Sequence, residues 1–167
     1  MAERPLLVLS RHFMKTTEGR KILCINKNAR YSYEIIETIE AGIVLGGPEV
    51  KSLRNGGGNI KDSFAQARNS EIFLNNFHIS PYAQASYMNY EPTRPRKLLL
   101  HRREILRLAG KVKEKGLTLI PLSLYLKGNR IKVELGLAKG KREHSKKDAI
   151  KERDIRREAA REVKSWR

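Results

Sequence analysis

The sequence predicts a mainly β body, an oligonucleotide-binding-like (OB-like), closed or nearly closed β-barrel of about six strands with two or three helices, followed by a basic tail. Three observations carry that expectation. Short apolar runs recur between residues 21 and 138, each bounded by Gly, Asn, Ser or Pro, the punctuation of strands and turns. One longer stretch, residues 97–115, carries apolar side chains at mostly helical spacing. The last thirty residues hold twelve basic and six acidic side chains and almost no large apolar one before Trp166. With 167 residues, 40% of them hydrophobic, the chain has room for one core and a tail but not for two good cores. The expected organisation is a flexible leader over 1–20, a body over 21–138 and a tail over 139–167.

The elements follow in order. Ile22 to Ile25 is a short strand, and Asn26-Lys27-Asn28-Ala29-Arg30 is a polar, basic connection. Tyr33 to Leu45 is a long strand whose Glu40-Ala41-Gly42 centre suits a bulge or sharp coil. Gly46-Gly47 ends it, and Pro48 opens a short helix to Arg54 with Val50 and Leu53 on one face. Asn55-Gly56-Gly57-Gly58 stops that helix. Ser63 to Arg68 and Ile72 to Phe77 are strands around the turn Asn69-Ser70. Ser80 to Pro95, with three prolines, reads as an ordered loop. A helix is expected from Lys97 to Lys115, using Leu98, Ile105, Leu108 and Val112, with Gly116 as its stop. Leu117 to Leu126 and Arg130 to Leu137 are strands around Gly128-Asn129. Closure into a barrel removes the exposed edges that so many short strands would otherwise present.

Charge points to the partner. Thirty-five Lys and Arg against 18 Asp and Glu give a formal net charge of +17. Such a surplus draws polyanions without specifying a fold. Nucleic acid is favoured over a membrane surface, because the basic segments lack the broad Leu/Phe/Trp face of an interfacial helix. No apolar run approaches the ~20 residues of a membrane span. Pro5 to Leu9 is followed by Arg11, His12 and Lys15 without a small-residue cleavage site, so a signal peptide is not expected and the location expected is cytoplasmic. Cys24 is the one cysteine and reads as a buried strand residue. Four scattered histidines, His12, His78, His101 and His144, offer no zinc spacing, and Gly56-Gly57-Gly58 lacks the Lys-Ser/Thr of a phosphate loop. No paired carboxylates or adjacent histidines propose acid–base chemistry. The expectation is therefore a binding protein with no metal, no cofactor and no catalysis.

Within the body, Arg94, Arg96, Lys97, Arg102, Arg103, Arg107, Lys111 and Lys113 face one acid, Glu104, over 94–113, a density suited to phosphate. Gly140 is expected to turn the chain away from the barrel. The tail cannot bury enough apolar surface to offset its ordering entropy, so it is expected to be disordered until bound. Ser145-x-x-Asp148 resembles a capping box, and Ile155, Ala159 and Val163 fall four apart with Trp166 beside them. That is a latent amphipathic helix, marginal alone, which a negatively charged channel would order.

Taken jointly, several motifs resemble the SmpB family, the bacterial SsrA-binding proteins. They are Asn26-Lys27-Asn28-Ala29-Arg30, Glu40-Ala41-Gly42-Ile43, Glu49 to Arg54, His78-Ile79-Ser80-Pro81-Tyr82, Glu91 to Arg94, Arg96 to Leu100, Gly136 to Lys141 and Ile150 to Arg153, in the family's order and spacing. The resemblance implies a barrel that grips the tRNA-like domain of transfer-messenger RNA. It implies delivery of that RNA, with elongation factor Tu and GTP, to 70S ribosomes stalled on messages without a stop codon. It also implies a tail that enters the vacant messenger channel at the decoding centre and folds there. By position, Asn26, Glu40 and Leu99 correspond to the family's RNA-binding face, with Lys27, Arg30, Arg94, Arg96 and Lys97 around them. Glu40 is odd beside phosphate, and would have to accept from base or ribose donors, orient a neighbouring arginine, or serve as a structural carboxylate. Lys139, Lys141, Arg142, His144, Lys146, Lys147, Ile150, Lys151 and Arg153 correspond to the ribosome-contacting tail. The departures are Gly57 where the family usually has lysine, Ser145 for aspartate, and Phe64 for tyrosine. A general OB-fold RNA-binding or ribosomal protein is the alternative within the binding class. A nuclease dependent on a histidine is the alternative outside it.

Overall fold

The computed structural model of the chain describes residues 20–85 and 90–141. Arg142, His144, Lys146, Lys147, Ile150, Lys151 and Arg153 therefore lie outside the described residues, as does the leader up to Gly19.

Strands come first because the sequence alternates. In β2 (Tyr33–Ile43), Ala41 is buried and Ile39 and Ile43 pack on the same core, so Glu40 between them points out. β9 (Arg130–Gly140) and β8 (Thr118–Lys127) behave alike, burying Val133, Leu135 and Leu137 and Leu119 and Leu124. These two form a hairpin through Gly128, whose φ of +60° is the left-handed turn that glycine accepts without strain. β4 (Phe64–Arg68) and β5 (Glu71–Asn75) form the second hairpin, with Asn69 and Ser70 both at positive φ as a tight two-residue connection requires. β7 (Arg96–Leu99) lies between β5 and β2, and β1 (Arg20–Ile25) lies against β8.

The six strands β8, β4, β5, β7, β2 and β9 form a ring, since β8 pairs with both β4 and β9. The ring is uneven. β2–β9 and β8–β9 are long ladders, each with one bulge, whereas β4 meets β8 at one registered pair, Ala65 with Leu119. β1 occupies the rest of that edge of β8. Ile72, Leu74, Leu98, Leu124, Val133 and Leu135 fill the interior with at most 1% exposure. α2 (Gly47–Arg54) adds Leu53 to this core and α3 (Arg102–Lys115) adds Leu108, flanked by Ile105 and Val112. A short pair, β3 (Gly58–Asn59) and β6 (His78–Ile79), stands apart. Beside the ring, α1 (Ala29–Ser32) covers a second small cluster, Ala29, Ile120, Leu122 and Ala138.

Four expectations need correction. The segment Arg96–Leu99 is a strand, and the helix begins at Arg102; Leu98 is buried between β5 and β2 and is not on the helix. The irregularity in β2 falls at Ile36, between Ile35 and Glu37, and Gly42 pairs in regular register with Lys132 and Leu99. Gly42 is small because Leu99 lies over it: a Cβ there would sit 3.1 Å from the Leu99 Cβ. The Asn26–Arg30 connection contains the start of a helix. Finally, Gly140 is not an exit turn, since it still pairs with Tyr33, and the Lys141 N–H donates to the Ser32 carbonyl at 3.0 Å.

A candidate RNA-binding face

The outer surface of β1, β8, β9 and β2 gathers charge around Glu40. The Tyr125 hydroxyl donates to its Oε2 at 2.5 Å, and Lys127 Nζ lies 3.2 Å from Oε1. Lys132 and Arg20 approach at 3.9 Å each, and the Arg20 guanidinium lies 4.9 Å above the Tyr125 ring. The hairpin explains the convergence. Tyr125 pairs with Lys132 and Lys127 with Arg130, so the alternation of β8 and β9 puts the cations beside each other. The hydrogen bond from Tyr125 is the largest influence on the Glu40 carboxyl; burial opposes it, and Lys127 and Lys132 add to it, so the carboxyl is held below the usual carboxylate range. Burial and the adjacent Glu40 push the Tyr125 phenol upward, so it remains a proton donor at neutral pH. Glu40 is thus an organiser. One carboxylate fixes three cations that would otherwise repel one another, and leaves a net positive face.

Leu99 completes this face. It is 51% exposed, and with Gly42, Val50, Arg130 and Lys132 it lines an open groove of about 370 Å³. An apolar side chain over a glycine, rimmed by Arg and Lys, suits a ribose or base face with phosphates beside it. Glu40 and Leu99 are therefore brought together, as expected by position.

Asn26 stands apart from this cluster, lining a different groove with Asn28, Tyr33 and Thr118. Its Nδ2 donates to the Pro121 carbonyl at 3.1 Å and its N–H to the Leu122 carbonyl at 2.8 Å. It anchors the turn that presents exposed Lys27 and Arg30. Lys141 Nζ donates to the Arg30 carbonyl at 3.0 Å, and Lys139 lies in β9 opposite Glu34, so both basic residues of the tail's root belong to the folded body.

Three expected RNA contacts are engaged with carboxylates of the protein itself. Arg96 is 1% exposed: it donates to Glu49 at 2.9 Å and to the carbonyls of Phe77, Arg94 and Pro92. Its sequence reading as a phosphate ligand is corrected, because every side of the guanidinium is already engaged inside the protein. Arg94 grips the same Glu49 with two hydrogen bonds, at 2.9 and 2.6 Å. Lys97 is ion-paired with Glu71. Sequence reasoning missed Arg20, Tyr125, Lys127, Arg130 and Lys132. The period-two placement of Tyr125 and Lys127, then Arg130 and Lys132, around a Gly-Asn turn was the signal that would have found them.

The family model described as SmpB protein matches residues 23–165. The chain belongs to the SmpB family. It is 57% identical over 144 residues to an SsrA-binding protein of Desulforudis audaxviator (strain MP104C), covering 86% of this chain and 94% of that one. It is 50% identical over 143 residues to an SsrA-binding protein of Staphylococcus aureus (strain Newman), covering 86% and 93%. Among solved structures, a chain described as "tmRNA-SmpB: a journey to the center of the bacterial ribosome" is 49% identical. Its TM-score is 0.63, over 78% of this chain and 95% of that one. Membership in the SmpB family agrees with the motif set and with the ring-like sheet. No helix among the described residues is long and apolar enough to cross a membrane.

Proposed function

We propose that this protein binds the tRNA-like domain of transfer-messenger RNA and serves as a non-catalytic adaptor in trans-translation. The Glu40-organised face with Leu99 holds the RNA, and the Asn26–Arg30 turn extends the contact. The complex, with elongation factor Tu and GTP, reaches 70S ribosomes stalled on messages without a stop codon. There the tail beyond Lys141 enters the empty messenger channel at the decoding centre, and the nascent chain is tagged. The work is cytoplasmic. The observation that carries this reading is a cationic sheet face ordered around Glu40 with an exposed leucine beside it, in a chain whose SmpB-family relatives are named for SsrA binding. A face fixed in shape discriminates RNAs by shape, which a merely basic surface does not.

The test is binding to the tRNA-like domain against an elongator tRNA across a salt series, for the full chain and a chain ending at Lys141. Preference for the tRNA-like domain in both, persisting at high salt, is expected. Discrimination that vanishes with salt or with the tail would leave a general RNA-binding protein held by counterion release.

A further inference from the structure

β1 is thinly covered. Among the described residues it pairs with β8 alone, so its second edge carries no strand. Ile22 and Ile25 are 50% and 53% exposed. Ile22 pairs with Tyr125 and Ile25 with Ser123, so both lie on the side of the sheet that carries Arg20, Tyr125 and Lys127. Leu23 and Cys24 pack on the main core but are only partly buried. β1 therefore combines accessible apolar surface with an open backbone edge, the arrangement that invites another strand.

The segment that precedes β1 has what such an edge lacks. Pro5-Leu6-Leu7-Val8-Leu9 is apolar at every position, the pattern of a strand covered on both faces. Its proline stands at the start, where a strand accepts one. Charge sets this segment apart from the tail. Over residues 1–19, Arg4, Arg11 and Lys15 stand against Glu3 and Glu18, close to neutral in a chain of net charge +17, so it lacks the character of an RNA arm. Residues 10–19 connect the apolar run to Arg20. Ten residues reach about 33 Å at ~3.3 Å each, far beyond the ~4.8 Å between neighbouring strands. The family model begins at residue 23, so the leader and the first half of β1 lie outside what it describes.

We propose that residues 5–9 fold back antiparallel onto the free edge of β1 as an additional strand, covering Ile22 and Ile25 and holding Arg20 in the Glu40 cluster. The Arg20 guanidinium stands 4.9 Å above the Tyr125 ring and 3.9 Å from Glu40, yet Arg20 opens β1, where a strand end frays. A strand beside it keeps that end in the ladder and the cation over the tyrosine. Arg20 is thereby a cation of the RNA face that the leader positions. That effect on RNA rests on the RNA-adaptor reading above, whereas the docking itself does not. The tail fits the edge poorly, because Ile155, Ala159 and Val163 fall four apart, at helical and not at strand spacing. A second copy of the chain is disfavoured by repulsion between two bodies of this charge.

The test uses the full chain, and its first part needs no RNA. Methyl-labelled protein should show nuclear Overhauser contacts from the Leu6–Leu9 run to Ile22 and Ile25, at concentrations where sedimentation reports a monomer. The β1 amides directed away from β8 should exchange at least ~tenfold more slowly than in Leu6→Ser/Leu7→Ser/Val8→Ser/Leu9→Ser, which keeps every charge. Ile22→Ser/Ile25→Ser should return the leader methyls to random-coil shifts, and the control Ile36→Ser/Val44→Ser should not. Contacts that form only between differently labelled copies, or that fade on dilution, overturn docking within one chain in favour of a second copy. Absent contacts, with β1 exchange unchanged in the serine variant, overturn the proposal outright. The second part reads Arg20 through affinity for the tRNA-like domain of transfer-messenger RNA. The leader variant and Arg20→Ala should each lose about threefold, as for one exposed cation, and the two combined should lose no more. Additive losses would overturn the positioning of Arg20. Failure of the unaltered chain to prefer the tRNA-like domain sinks the adaptor reading instead, and the methyl contacts and exchange rates still decide the docking.

Discussion

Glu49 and Glu40 are each a carboxylate set among cations, and they do opposite things. Glu49 is 5% exposed and takes hydrogen bonds from Arg94, Arg96 and the Gly46 N–H, so nothing remains to offer a ligand. Glu40 has its side chain 32% exposed and holds Arg20, Lys127 and Lys132 loosely, with the outer sides of those cations in water. Depth decides. In the first cluster the arginines serve the carboxylate, tying the segment over 91–96 to α2. In the second the carboxylate serves the cations, keeping them spread for phosphate.

The largest break is expected at Glu49. Glu49→Ala leaves Arg96 buried and unpaired and should cost about 3–5 kcal/mol in urea unfolding. A loss below 1 kcal/mol would mean that the cluster is not a structural tie. The same site should show in acid. Burial opposes ionisation of Glu49, but Arg94, the Gly46 N–H and Arg96 outweigh it and hold the carboxyl below the usual range. A carboxyl lowered by folding contributes stability that is full above its unfolded value of ~4.3 and is lost as pH falls through its folded value. Urea midpoints taken from pH 6 to pH 3 should therefore fall, and Glu49→Gln should flatten that fall.

Glu40→Gln sharpens the contrast. An exposed cluster of this kind contributes at most ~1 kcal/mol to stability, so unfolding should barely change. Affinity for the tRNA-like domain should drop about tenfold, roughly 1.4 kcal/mol, as Lys127, Lys132 and Tyr125 lose their organiser. A stability loss matching that of Glu49 would erase the distinction between the clusters. Leu99→Ala should have the smallest effect, about fivefold in RNA affinity, from ~1 kcal/mol of apolar surface buried only in the complex. No loss of affinity there would remove the leucine from the face.

Much of the architecture was legible because it is local. The hairpins at Asn69-Ser70 and Gly128-Asn129, the α2 start at Gly47-Pro48 and the alternation of β8 and β9 follow from neighbouring residues alone. Lys97–Leu99 was misread because Leu98, Ile105, Leu108 and Val112 merge into one helical rhythm. Only pairing with β5 and β2 makes these three residues extended. Arg96 was misassigned for a related reason: its partner Glu49 lies 47 positions away. Glu40 was noticed but not understood, since Tyr125 is 85 residues distant. The resemblance placed Glu40 and Leu99, and the geometry supplied what one does to its neighbours and why the other has a glycine beneath it.

The single backbone pair of Ala65 with Leu119 gives the ring a place to yield. Amides beside it should exchange with solvent through a partial opening, well before those of the β8–β9 and β2–β9 ladders, which wait for global unfolding. Glu40 and the cations around it are carried on the laddered half, by β1, β8, β9 and β2, and only Leu99 comes from β7. Thermal breathing is thereby steered to the wall that touches no cation of that face, and the spacing of charges presented to RNA outlasts the closure of the ring itself.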